Sequence, residues 1–185
     1  MYHIPDDLRA KRSADKLFNG LVWCLKDNRI ENISVSEIVG VSGVGRATFY
    51  RLFDNPSDII LYKCNRLIYD EIEKLEKPVS FRSILITQLE VFMENSLLLK
   101  ILVENKLDDT LYTVGNKNYT LFKNAILNGK DVSDEFIDYI IRIMFFSTLA
   151  VLKVWDTGGR KENANELFDK VNSSIMTFAK LLGTK

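Results

Sequence analysis

The chain has 185 residues, 46% of them apolar, with 25 Lys/Arg against 25 Asp/Glu; this is a globular composition, long enough for one large domain or one small and one medium. Nine glycines, three prolines and no sustained apolar-polar alternation predict an all-α protein. One histidine, His3, in an N-terminal stretch expected to fray, and two cysteines, Cys24 and Cys64, 40 positions apart, leave no metal spacing and no histidine-based triad.

The longest uncharged run, Ile143 to Leu152, is ten residues and too short to span a bilayer. MYHIPDDLRAKR has no apolar signal core. The expected location is the cytoplasm, where both cysteines would be buried free thiols. Residues 1–53 hold eight Lys/Arg against six Asp/Glu, or +2, and the remainder 17 against 19, or −2. Arg9, Lys11, Arg12 and Lys16 gather at the start of the first helix, as a solvated helix end or as phosphate contacts.

That first helix is expected over residues 7–27, with Ala14, Leu17, Phe18, Leu21, Val22 and Leu25 on one face. Residues 28–32 form a loop. Ser34 then opens a short helix with Glu37 three residues on, an S-x-x-E capping box. Val35, Ile38 and Val39 share its inner face. Gly43 stops it, since glycine takes the left-handed conformation without steric cost. A second short helix is expected over residues 45–52. Val44, Ala47, Phe49 and Phe53 would face inward, and Arg46, Thr48, Tyr50 and Arg51 outward. Two helices joined by a short Gly-containing turn, the second bearing donors, form the helix-turn-helix arrangement, whose second helix fits the DNA major groove.

The run S-E-I, then S-G-V, then R-A-T-F-Y-R-L-F resembles the DNA-binding domain of the TetR family of bacterial repressors, with Ala47 to Phe53 its most specific piece. The motif resemblance covers about Leu8 to Leu61. Gly45 stands where that family usually has Ser or Thr, Pro56 where Lys is common, and Val39 and Gly40 where Ala and a polar residue are usual. The DNA-contacting set implied by the resemblance is Ser34, Ser36, Gly45, Arg46, Ala47, Thr48, Tyr50 and Arg51. A competing pattern, Gly40-x-x-x-x-Gly45-Arg46-Ala47, nearly matches a phosphate-binding P-loop. It lacks the Lys and the Ser or Thr that such a loop needs, and no strand precedes it.

Asn55 suits a helix N-cap and Pro56 the first helical position, so a fourth helix should run to about Glu76, ended by Pro78. The expected domains are 1–54, the three-helix DNA-binding part, and 55–185, a helical ligand-binding and dimerisation part. Further helices are expected over 81–93, 97–105 and 119–127, with a break at 106–118 around Gly115 and a stop at Asn128-Gly129. The most legible pair follows. Ser133, Asp134 and Glu135 start a helix reaching Trp155 that is apolar nearly all round, and residues 164–182 form the last one. A monomer of this size would struggle to cover both. A two-fold four-helix bundle would cover Leu149, Leu152, Phe168, Val171, Ile175, Phe178 and Leu182.

The resemblance further implies an effector cavity in the second domain. The sequence offers Tyr69, Phe81, Leu85, Phe92, Tyr119, Phe122 and Phe145 as walls, and Asn65, Gln88 and Thr148 as polar groups. The effector should be small and largely apolar, because no cluster of Arg, Lys or His is there to neutralise an anion. Tilting of the fourth helix by that effector would change the spacing of two recognition helices and so tune operator affinity. The leading expectation is a homodimeric regulator bound to a double-stranded DNA operator, with no cofactor. The alternative is a TetR-like module that binds a protein partner in place of DNA. An enzyme ranks last, since no nucleophile elbow or metal cluster is visible.

Overall fold

The computed structural model describes residues 1–76, 79–127 and 132–183. Pro78 and the Asn128-Gly129 stop lie outside the described residues. The expected all-α class is borne out: among the described residues the regular elements are all helices, apart from an isolated antiparallel bridge between Tyr2 and Phe53. The chain divides into two compact units, Met1–Arg66 and Leu67–Lys185, and the helix Pro56–Ile72 runs through the division.

The first unit holds α1 (Leu8–Cys24), α2 (Val35–Ser42), α3 (Arg46–Leu52) and the start of α4 (Pro56–Ile72). Asp7 caps α1 by accepting from the Ala10 amide, and the helix ends three residues short of the expected 27. Ala14, Leu17 and Leu21 are fully buried, while Phe18, Val22 and Leu25 are only half-buried at the edge of that face. At α4 the Asn55 side chain accepts from the Asp58 amide and the Asp58 carboxylate accepts from the Asn55 amide, both at 3.1 Å. A buried aspartate is tolerated here because its carboxylate accepts from the Asp54 and Asn55 amides and is paired with the Met1 ammonium at 2.7 Å. α4 ends at Ile72, four residues before Glu76.

The N-terminal segment is held, contrary to the expected fraying. The His3 amide donates to the Leu52 carbonyl at 2.8 Å, and the Tyr2 ring meets the Tyr62 ring edge-on at 5.3 Å. The sequence offered no pattern for this short pairing.

α1 lies along α2. Gly20 makes that approach possible: a Cβ there would sit 2.9 Å from both the Ile38 carbonyl oxygen and the Ser42 Cβ. No real Cβ contact is that short, so α2 would have to move.

The second unit holds α5 (Phe81–Glu94), α6 (Ser96–Glu104), α7 (Asp108–Lys117), α8 (Tyr119–Leu127), α9 (Asp134–Thr157) and α10 (Ala164–Leu181). The expected break at 106–118 is corrected: a full helix forms there. Gly115, read as a breaker, is a buried helical glycine. A Cβ on it would meet the Phe145 ring at 2.5 Å, so α7 packs on α9 through the absence of a side chain. Leu111 and Val114 complete that seam, both fully buried. Propensity alone disfavours such a helix, and tertiary packing decides otherwise. Phe122 on α8 meets Phe145 edge-on at 5.1 Å and fills the centre of the unit.

Gly20→Ala should therefore cost about 1–3 kcal/mol of unfolding free energy. Gly40→Ala, in open space on α2, should gain about 0.5–1 kcal/mol. Urea unfolding of the two variants measures the contrast. Equal effects would show that α1 and α2 are not held at this distance.

Candidate nucleic-acid interface and ligand groove

α2 begins on the capping box expected from the sequence. The Ser34 hydroxyl accepts from the Glu37 amide at 3.3 Å, and the Ser34 amide donates to Glu37 Oε2 at 2.7 Å. The Ser34 hydroxyl also donates to Glu37 Oε2 at 2.7 Å, and this bond, with the one from the Ser34 amide, holds the Glu37 carboxyl below its ordinary pKa. α2 ends at Gly43 in the left-handed conformation, φ 67°, ψ 15°. The chain turns through Val44, whose amide donates to Ser42 Oγ at 3.2 Å. Gly45 then precedes α3 in an extended conformation and supplies no side-chain cap.

Val44, Phe49, Leu52 and Phe53 are buried beneath α3. Ala47 is corrected: it is exposed, because the inner face of so short a helix is already filled by Phe49 and Leu52. Its outer face presents Gly45, Arg46, Ala47, Tyr50 and Arg51, with Thr48 half-buried, and α2 adds exposed Ser34 and Ser36. Arg46 joins the two helices. Its guanidinium donates to Ser36 Oγ at 3.2 Å and to Tyr50 Oη at 3.5 Å, and lies 5.7 Å from the Tyr50 ring centroid. The result is a small exposed cluster of one cation and two hydroxyls, suited to anionic oxygens or to acceptors on a base edge.

A groove of about 380 Å³ lies in the second unit between α5, α9 and α10. Phe81, Leu85 and Thr148 line it as expected, with Leu89, Met144, Ser147, Val151, Phe168, Val171 and Ile175. The other residues expected to wall a cavity lie elsewhere. Phe92, Phe122 and Phe145 are fully buried core. Tyr119 is half-buried on α8, its hydroxyl pushed up by desolvation and by Asp138. Tyr69 is exposed and its hydroxyl is raised by Glu73. Asn65 is half-buried on the part of α4 that belongs to the first unit. Aromatic content separated core from groove poorly, because a central packing residue and a wall residue have the same composition. A second hollow, about 520 Å³, is walled by Lys100, Glu104, Lys153, Asp156 and Arg160. Its charged rim suits an apolar ligand less well, and the smaller groove is the better candidate.

Gln88 stands just behind the groove. Its Nε2 donates to Thr148 Oγ1 at 3.0 Å, and that hydroxyl donates onward to the Met144 carbonyl at 2.8 Å. The Gln88 carbonyl oxygen is buried without a hydrogen-bond partner among the described residues.

Two of the residues expected at a dimer seam are corrected. Leu149 and Leu152 are buried within the chain's own core, at 1% and 0% exposure. The outward face of α9 is instead Phe136, Tyr139, Ile143, Phe146 and Val154. Their spacing of three, four, three and eight marks one stripe, rotated from the buried one. α9 had read as apolar all round, so its period could not say which side faced inward. On α10, Phe168 and Val171 are half-buried, while Ile175, Phe178 and Leu182, just past its end, are exposed.

No protein-family model and no curated protein sequence matches the chain. Among solved structures the chain is similar to Lin0861 from Listeria innocua, with a TM-score of 0.77 at 17% identity, covering 95% of this chain and 96% of that one. That likeness shows a shared fold.

Replacing Gln88 with Met removes the unpartnered carbonyl at similar volume and leaves Thr148 its bond to Met144. Unfolding free energy should stay level or rise by up to ~1–3 kcal/mol. A loss above about 1 kcal/mol in urea unfolding would show that Gln88 is required by the fold itself.

Proposed function

We propose that this chain is a TetR-like, DNA-binding transcriptional regulator that acts as a homodimer and is tuned on its operator by a small, largely apolar effector. The observation that carries the reading is the exposed Ser36–Arg46–Tyr50 cluster on two short helices joined by a left-handed glycine turn. That turn fixes one helix against the other, as a helix-turn-helix requires. α3 is the recognition helix, and Arg46, near its start, reaches a base edge once its bonds to Ser36 and Tyr50 are exchanged. The serine hydroxyls and Tyr50 contact phosphates, which position the helix without specifying sequence.

The exposed stripes of α9 and α10 support a dimer through the last two helices. A two-fold operator then follows from a two-fold protein. The groove between α5, α9 and α10 supports the effector.

Selection from a random DNA pool tests the reading. The wild-type protein should enrich one consensus. Arg46→Ala should bind more weakly and relax the consensus at one position, since a bidentate arginine-guanine contact discriminates by ~1–3 kcal/mol. A uniform loss of affinity with an unchanged consensus would make Arg46 a phosphate contact. Absence of any enriched sequence would overturn DNA recognition in favour of a protein-binding module.

A further inference from the structure

We propose that the groove between α9 and α10 becomes a closed chamber only when a second copy of this chain seats on that face, so that binding of a small apolar molecule and dimerisation are coupled. The inference rests on the homodimer of the proposed function and adds where its effector is held.

The groove is open on the outer side. Ile143 and Ile175 line it and are 65% and 58% exposed. They also belong to the outward stripes of their helices, so apolar surface continues from groove to outer face through them. A ligand bound there would leave much of its surface in water, whereas ligand sites usually bury 70–90% of it or more.

The cover is a second copy. A two-fold contact brings one face against itself, so like charges on it would repel. The stripe on α9 is built of uncharged residues. The neighbouring cations turn to α7: Arg142 lies over the Tyr112 ring at 4.6 Å, and Lys153 is 3.6 Å from Asp108. Phe136, Tyr139, Ile143, Phe146 and Val154 on α9 with Ile175, Phe178 and Leu182 at the end of α10 make a large apolar surface. At roughly 100 Å² each these give about 800 Å², above the ~300–600 Å² patch of a typical monomer and near the ~800 Å² per partner of a stable interface.

The contents are a small apolar molecule with a hydrogen-bonding group. Leu85, Leu89 and Met144 supply apolar wall, and Ser147 and Asn172 supply polar atoms. Arg82, which lines the groove, is already neutralised by Asp169 at 2.9 Å and stacked over Phe168 at 4.3 Å. An anion gains little there.

The test uses the full chain with Nile red, an uncharged dye that brightens in apolar surroundings. Wild-type protein should bind the dye when dimeric, at least tenfold more weakly once diluted below its dimer dissociation constant. Saturating dye should tighten dimerisation, read by sedimentation, by the square of that factor, because a dimer holds two such grooves. Phe146→Glu, on the stripe but outside the groove, should be monomeric and bind the dye at least tenfold more weakly. Val151→Trp, inside the groove, should stay dimeric and lose the dye. If Phe146→Glu fails to fold by circular dichroism, the wild-type dilution series decides. Unchanged dye affinity in monomeric protein would show a groove complete in one copy and overturn the proposal. So would a dimer that takes up no dye, a Val151→Trp dimer that still binds it, or a wild type that is monomeric at tens of micromolar. A dimer with coupled dye binding that enriches no DNA sequence would refute operator recognition and leave this inference standing.

Discussion

The second unit depends on a helix that is apolar on more sides than the rest of the unit covers. One side of α9 is locked inward by Phe145, which lies against the backbone of Gly115 and edge-on to Phe122. That packing fixes the rotation of α9 about its axis. With Ile137, Ile141, Met144, Phe145, Thr148, Leu149, Leu152 and Trp155 turned inward, the stripe from Phe136 to Val154 has nowhere to go but solvent. The outward face is thus a consequence of the inner seam, and it is the surface that the proposed second copy would cover.

The first unit rests on a close approach of a different kind. Gly20 lets α1 lie against the backbone of α2, and α2 hands its direction to α3 through Gly43. Buried Phe49, Leu52 and Phe53 then anchor α3 from below. With the inner face so fixed, Arg46, Tyr50 and Arg51 have only the outside. A chain of zero formal net charge can still present a cluster of exposed donors this way, because geometry concentrates what composition does not.

Local signals were legible where one short rule decides the structure. The Ser34–Glu37 capping box, the Gly43 stop and the Asn55–Pro56 helix start all depend on residues a few positions apart. What escaped the sequence depends on distant partners. Gly115 reads as a breaker until Phe145 is placed against it. Gly20 carries no local signal at all. Leu149 and Leu152 could not be assigned to core or surface from a helix apolar on most sides. Among the expected cavity residues, Phe81, Leu85 and Thr148 line the groove, while Phe92, Phe122 and Phe145 are core, and no pattern in the chain distinguishes them.

The proposed regulator joins two separate features, an exposed donor cluster on α3 and an exposed apolar face on α9 and α10. Hydroxyl-radical footprinting of the protein on its selected DNA tests both together. The account predicts two protected patches on one face of the duplex, related by a two-fold axis and centred one helical turn apart or a multiple of it, about 34–36 Å per turn. A single protected patch on an asymmetric site would contradict the dimeric regulator, and uniform protection along the duplex would contradict specific recognition by α3.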